Sequence, residues 1–168
     1  MSTETQTKEN LGQSLGTRYL SFTLGTEEYA IPLLSVREVI AVPEITPIPY
    51  TPSHFLGIMN LRGQVISIID LRKKLAIAPQ AKSETAVIIC DLSPLCLGVV
   101  VDSINSVLAP DQSDVSEKPA IQSSRATDYI THIYRKEKKL VLFLDIQKTL
   151  TAEDHQVAAK AIKSKQAA

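Results

Sequence analysis

A turn with the sequence Asn60-Leu61-Arg62-Gly63 separates two apolar runs, and this segment constrains the fold of the chain most strongly. Gly63 suits a backbone that needs positive φ, and Asn60 also tolerates left-handed geometry. The apolar runs on either side are rich in β-branched residues, which favour strands. The segment therefore predicts a β-hairpin that places Arg62, with its five N–H donors, at a rigid tip.

Alternating polar and apolar side chains predict further strands. Leu20, Phe22 and Leu24 share one face of a first strand. Trp is absent and aromatic residues make up only 5% of the chain, so the core must consist of Val, Ile and Leu, which favours an all-β fold. The other predicted strands cover residues 29–31, 36–40, 85–91, 96–101, 103–108, 129–134 and 140–145.

The polar segments divide the chain into three parts. Residues 1–16 are rich in Thr, Ser, Gln and Glu, and we expect a flexible leader there. Residues 17–150 form one domain, in which a polar linker at about 76–84 separates two lobes. The polar, proline-punctuated segment 109–128 is long for a compact domain, and we expect it to be mobile.

The third part, residues 151–168, is predicted to be a C-terminal helix and tail. Thr151 offers an N-cap, and Asp154 follows three residues later, as in a capping box. The helix should extend to about Ile162. Its apolar face is thin, so we do not expect it to dock firmly on the domain; this face comprises Val157, Ala158, Ala161 and Ile162.

Charge and hydropathy argue against several classes of partner. Lys plus Arg equals Asp plus Glu at 18 each, so no net field drives binding to nucleic acid or to an anionic membrane. No apolar run approaches the roughly 20 residues that a membrane span requires. We therefore expect a cytoplasmic protein whose ligand is another protein.

Candidate chemical groups are few. Asp70, Asp102 and Asp145 each end an apolar strand, where they could form a carboxylate dyad or a metal cluster, although hydrogen bonding to the following turn is the simpler interpretation. His54, His132 and His155 are scattered, and neither a nucleophile motif nor a phosphate-binding loop is present. Cys90 and Cys96 lack histidines at zinc-binding spacing. We expect no enzyme activity, no cofactor and no metal.

The order and spacing of these segments resemble the CheW family of chemotaxis coupling proteins. The resemblance covers residues 17–150, and its most specific motif is the Asn-Leu-Arg-Gly turn followed by the strand end Ile69-Asp70-Leu71. It also includes the segments 19–25, 29–40, 98–104 and 140–146.

The resemblance implies a fold and a function. The family fold consists of two packed five-stranded SH3-like barrels, here with short helices and a C-terminal helix. The implied function is a non-catalytic scaffold that couples the cytoplasmic tips of chemoreceptors to the regulatory domain of the CheA histidine kinase. Such a protein would be cytoplasmic, would not insert into the membrane and would be recruited to receptor arrays.

The resemblance also suggests a binding site. Glu38 and Arg62 both interrupt apolar surroundings, and pairing of neighbouring strands could bring them together. Family members use an acid and an arginine at these positions in receptor and kinase contacts, whereas the simpler interpretation is an exposed ion pair. Four further residues fall on family contact positions, with ordinary core packing as the alternative; they are Val36, Gly57, Leu97 and Ile104.

Two departures from the family pattern leave alternatives open. Ser67 stands where a proline is common, and residues 129–133 lack a glycine often found there. The chain could instead be an adaptor of a type IV pilus system or another chemosensory-type array. A small ligand-binding barrel or enzyme that uses the strand-end aspartates is the alternative from another class.

Overall fold

The computed structural model describes residues 17–78, 85–117 and 128–166, and β-strands dominate these residues. The predicted leader and most of the predicted linker therefore lie outside the described residues. A six-stranded sheet has the order β8-β1-β2-β11-β10-β9, with β1 (Tyr19–Leu24), β2 (Glu27–Pro32), β8 (Ser103–Leu108), β9 (Val115–Glu117), β10 (Ile130–Lys136) and β11 (Lys139–Leu144).

A five-stranded sheet has the order β3-β6-β7-β5-β4, with β3 (Val36–Ala41), β4 (Phe55–Leu61), β5 (Gln64–Asp70), β6 (Ala86–Asp91) and β7 (Cys96–Val101). Neighbouring strands in both sheets are antiparallel except for β2 with β11 and β5 with β7. The all-β prediction is confirmed. One sheet has six strands because β9 forms within the segment 109–128, where only a mobile loop was expected.

The two sheets share one core. Phe22 and Leu24 of β1 are fully buried against the same cluster as Ile88 of β6 and Val99 of β7. Each sheet also encloses a smaller apolar cluster of its own: Met59, Ile66, Ile68, Val87, Ile89 and Val100 in one, and Ala30, Leu108, Val141 and Phe143 in the other. This arrangement matches two barrel-like lobes packed side by side.

A buried ion cluster links the lobes. Arg72 donates to both carboxylate oxygens of Asp70, each at 2.9 Å, and to Asp102 at 2.8 Å. Asp102 also accepts from the backbone N–H of Gly25, in the turn between β1 and β2, at 2.6 Å. The hydrogen bond to Asp70, opposed by burial and supported by the hydrogen bond to Asp102, raises the pKa of Arg72. Two of the three strand-end aspartates therefore hold the lobes together.

Three helices lie within the described residues: α1 (Leu71–Lys74), α2 (Ile146–Thr149) and α3 (Ala152–Gln166). Asp70 and Asp145 cap the first two through side-chain hydrogen bonds to backbone N–H groups. The structural interpretation of the aspartates therefore holds for Asp145 as well. None of the helices in the described part of the chain is long and apolar enough to cross a membrane.

The prediction that α3 would not dock firmly is wrong. The predicted capping box is present, with Thr151 Oγ1 accepting from Asp154 N and Asp154 Oδ2 accepting from Thr151 N. Ala158 and Ala161 are 2% and 3% exposed and belong to the shared core. The buried hydroxyl of Ser67 in β5 donates to the carbonyl of Ala158 at 3.3 Å. Small side chains allow the helix to approach the sheet closely, so a thin apolar face is enough.

Candidate functional site

The turn between β4 and β5 is a tight two-residue connection that presents Arg62. Leu61 pairs with Gln64, which leaves Arg62 and Gly63 at the tip with φ values of 53° and 85°. The expected left-handed residue Asn60 instead remains in β4, where its side-chain oxygen accepts from Gly63 N at 2.9 Å. Left-handed geometry costs a residue such as arginine about 1–2 kcal/mol, so the paired strands hold this turn against a local preference.

Arg62 and Glu38 form a bidentate ion pair. The two guanidinium nitrogens lie 3.2 and 3.1 Å from the two carboxylate oxygens of Glu38. The Arg62 side chain is 77% exposed and that of Glu38 23%. An ion pair with this exposure contributes about 0–1 kcal/mol to stability. The guanidinium has five N–H donors and therefore retains donors that face solvent.

The sequence suggested that pairing of neighbouring strands brings Glu38 and Arg62 together. The pair instead forms by closure of the barrel. β3 and β4 are the two edges of the five-stranded sheet, so the sheet must curl for Glu38 to reach Arg62. A second contact joins the same elements, because Arg37 donates to the side-chain oxygen of Gln64 at 3.1 Å. The tip of the β4–β5 hairpin thus contacts β3 at two consecutive residues of that strand, Arg37 and Glu38.

Gly57 allows two backbone segments to approach each other closely. It is buried in β4 with φ of 143°, and a Cβ atom there would lie 2.1 Å from the carbonyl oxygen of Thr46. Thr46 and Ile58 exchange two backbone hydrogen bonds of 2.9 Å, which require this close approach. Gly57 therefore lets the segment before β4 close onto β4, an edge strand of the five-stranded sheet.

The other three candidate residues lie on the shared core and not beside Arg62. Val36 begins β3 and is half-buried, whereas Leu97 in β7 is 1% exposed. Ile104 is half-buried in β8, on the other sheet, where it pairs with Phe22. The structure thus unites Glu38 with Arg62 and places Val36 two residues before Glu38 in β3, whereas Leu97 is buried in the core and Ile104 lies on the other sheet.

Exposed apolar residues around β3 were missed in the sequence. Leu34, in a short 3-10 turn before β3, and Tyr50, in the proline-rich connection to β4, are fully exposed. Val39 and Val42 are 40% and 42% exposed. The alternation along β3 already placed Val39 on the face opposite Glu38. Leu34 and Tyr50 carried no sequence signal, since apolar residues in short turns are usually covered.

The histidines and cysteines are distributed without forming a catalytic set in the described residues. His54 pairs with Asp154, while His132 lies on β10 and His155 on α3. Burial, with a smaller effect of Cys96, raises the pKa of the Cys90 thiol to about 12. Within the described ranges no group of three His, Cys, Asp or Glu side chains could hold a metal ion.

Comparison with known proteins gives a consistent result. The family model described as CheW-like domain matches residues 18–154. The chain is 34% identical over 154 residues to the chemotaxis protein CheW of Klebsiella aerogenes, covering 91% of this chain and 93% of that protein. It is 31% identical over 146 residues to CheW of Treponema pallidum, covering 83% and 85% of the two chains.

A solved structure is similar as well. The scaffolding protein TtCheW from Thermoanaerobacter tengcongensis superposes with a TM-score of 0.70 and 29% sequence identity. The match covers 77% of this chain and 88% of that one. The fold, the family model and the relatives therefore agree on the family of this chain.

Proposed function

The chain belongs to the CheW-like family and is a chemotaxis coupling adaptor, and from this premise we propose which molecules it couples. Its proposed partners are the cytoplasmic tips of methyl-accepting chemoreceptors and the regulatory domain of a CheA-type histidine kinase. Binding both at once places the kinase under receptor control. The relatives are chemotaxis proteins, which favours this role over an adaptor of a type IV pilus system.

The observation that carries the proposal is the geometry of Arg62. Its side chain is 77% exposed, but the guanidinium is fixed in direction by the closed turn and by two hydrogen bonds to Glu38. A fixed guanidinium loses little conformational freedom on binding, and its remaining donors suit a carboxylate or a backbone carbonyl of a partner. We assign Arg62 and Glu38 to the partner contact.

We further propose that the apolar candidates belong to a second contact, apart from Arg62. A cavity of about 540 Å³ opens between the lobes, lined in part by Ile31, Pro32, Ser35, Leu92 and Ile146. None of the four candidates Val36, Gly57, Leu97 and Ile104 lines this cavity, and Val36 comes directly after the lining residue Ser35. An amphipathic receptor helix could lay its apolar face along such a groove. In this proposal Val36 and Ile104 contribute at the edges of the lobes, and Gly57 and Leu97 act by shaping the backbone and the core behind them.

The proposed mechanism is scaffolding without catalysis. Asp70, Asp102 and Asp145 are engaged in hydrogen bonds that maintain the fold, so a catalytic role for them would require breaking those contacts. The protein needs no cofactor for this role. We further propose that it is cytoplasmic and reaches receptor arrays by protein contacts, without nucleic-acid binding or insertion into the membrane.

A capture experiment tests the proposed partners. The full chain would be immobilised and exposed first to a receptor cytoplasmic fragment, then to the kinase regulatory domain, each purified. Retention of both proteins in one complex is the expected result. Retention of only one, with the second displacing the first, would contradict simultaneous coupling.

A further inference from the structure

The hairpin between β10 and β11 carries a concentration of positive charge that the proposed coupling site does not use. Residues 135–139 read Arg-Lys-Glu-Lys-Lys, so four cations and one anion give this segment a net charge of +3 within a chain of net charge zero. We refer to these five residues as the basic tip. It belongs to the six-stranded sheet, whereas Arg62 belongs to the five-stranded one. The two surfaces can therefore be altered independently.

The basic tip departs from the residue choices that would stabilise a hairpin. Lys136 and Lys139 are directly opposite in the antiparallel register, an arrangement of like charges that destabilises a strand pair. Glu137 occupies a left-handed position with φ of 55°, where glycine or asparagine is easier to accommodate. Residue types that lower stability at their own position are more common where a surface has a function.

The ion pairs found among the described residues do not include the cations of the basic tip. Arg62, Arg72 and Lys74 are all in ion pairs. In contrast, no ion pair within the described part of the chain involves Arg135, Lys136, Lys138 or Lys139. Three of these four side chains are exposed and Lys136 is half-buried. Their charges are therefore directed to solvent.

A cleft of about 620 Å³ adjoins the basic tip and indicates the shape of a partner. Lys136, Lys138 and Lys139 line the cleft, and Leu140, 50% exposed, adds an apolar contact. Glu27 and Glu28 of the neighbouring strand β2 line it as well. A membrane surface or a nucleic acid would bring phosphates against these two carboxylates. A protein segment with spaced carboxylates can meet the lysines and avoid the glutamates.

We propose that the basic tip and its cleft are a docking surface for an acidic protein segment that carries an apolar side chain beside its carboxylates. The lysines would bind the carboxylates, and Leu140 would contact the apolar side chain. This surface is additional to the proposed coupling site and does not require that site to be correct. Electrostatic docking of this kind should be fast and sensitive to salt.

A titration of the full chain with a defined probe tests the proposal. The probe is a short peptide of alternating glutamate and leucine, compared with the same peptide carrying glutamine in place of glutamate. Amide chemical shifts should change at residues 135–140 with the acidic peptide and not with the glutamine peptide. Binding of the acidic peptide should weaken as the salt concentration is raised. The variant Lys138→Glu/Lys139→Glu should weaken binding about tenfold or more. The milder Lys138→Gln/Lys139→Gln should show the same direction at an unchanged melting temperature.

The matched control makes the same change of charge at two lysines outside the basic tip. Lys73→Glu/Lys148→Glu alters two exposed lysines on α1 and α2 and should leave the affinity within about twofold of wild type. Equal losses in both double variants would overturn the proposal, because the effect would then reflect net charge alone. Binding to vesicles of anionic phospholipid but not to the acidic peptide would also overturn it, as would chemical shifts confined to other surfaces.

Discussion

Arg62 is the residue on which the proposed coupling role depends most. It is held at the tip of a closed hairpin, but its ion pair with Glu38 lies near the surface and adds little to stability. We propose that binding, and not folding, accounts for an arginine in this left-handed position. The effects of replacing Arg62 on stability and on partner binding can be measured separately.

We predict that Arg62→Ala and Glu38→Ala weaken partner binding while the domain stays folded. Loss of an arginine contact buried by a partner costs about 2 kcal/mol or more, which is about thirtyfold in affinity, whereas the ion pair itself is worth under about 1 kcal/mol. Melting temperatures and binding to the receptor fragment and kinase domain would be measured for both single variants and the double variant. If the residues act only on each other, binding should be unchanged and stability should fall equally in all three.

Gly57 gives a second prediction at this scale, which concerns stability. Gly57→Ala should destabilise the domain by about 1–3 kcal/mol or more, because the added methyl group would collide with the backbone of Thr46. Gly63→Ala is the matched control, since it also has positive φ but no atom within 4 Å of the added carbon. Urea unfolding of the two variants separates collision from backbone strain. A loss for Gly57→Ala no larger than that for Gly63→Ala would show that the segment before β4 moves aside.

At the scale of elements, the strands were predictable and their closure was not. Alternation in β1 and the turn chemistry around Gly63 depend on neighbouring residues, so the hairpins could be identified from the sequence. The pairing of Glu38 with Arg62 depends on how far the sheet curls, which no local pattern encodes. β9 was missed because three residues are too few to show a period. Docking of α3 was missed because its anchors, His54 and Lys74, lie 100 and 80 residues away.

Asp154 makes the docking of α3 dependent on pH. Burial raises its pKa, but hydrogen bonds from Lys74, from the backbone of Thr151 and from His54 outweigh burial and lower the pKa below the usual 3.8. The carboxylate is therefore charged in the folded chain at pH values where it is protonated in the unfolded chain. Its contribution to stability is present above the ordinary pKa of 3.8 and is lost as pH falls through the lowered pKa of the folded chain.

We predict that Asp154→Asn removes part of the acid sensitivity of the chain. Thermal unfolding at a series of pH values between 6 and 2.5, about the range that spans an ordinary carboxyl titration, would compare the variant with wild type. The variant should be less stable at neutral pH, and its stability should fall less steeply below about pH 4. Asp111→Asn, at an exposed position, is the control and should follow wild type. Parallel curves for Asp154→Asn and wild type would contradict the role of this carboxylate.

At the scale of the whole molecule, Arg72 connects the two lobes. It reaches Asp70 at the end of β5 and Asp102 between β7 and β8, and Asp102 binds the turn between β1 and β2. The sequence identified the aspartates as strand-end residues but did not identify Arg72 as their common partner. Its position two residues after Asp70 was visible, whereas the contact with Asp102 requires the packing of both lobes.

Arg72→Met should therefore destabilise the whole domain. Removing one member of a buried ion cluster costs about 3–5 kcal/mol, because the remaining charges lose their partner without returning to water. Arg72→Lys keeps the charge but loses the forked geometry, and it should be intermediate. Urea unfolding followed by a signal from each lobe would measure both effects. A loss under about 1 kcal/mol for Arg72→Met would show that the lobes are held chiefly by their shared apolar core.

The most direct test of the proposed coupling role is kinase activity in a reconstituted system of receptor fragments, CheA-type kinase and this chain. Phosphorylation of the kinase should rise when the wild-type chain is added and should depend on the receptor. Arg62→Asp should abolish this rise at an unchanged melting temperature, because charge reversal repels the partner carboxylate that arginine attracts. Receptor-dependent activity that is the same without the chain would contradict the coupling role, and full activation by Arg62→Asp would contradict the site.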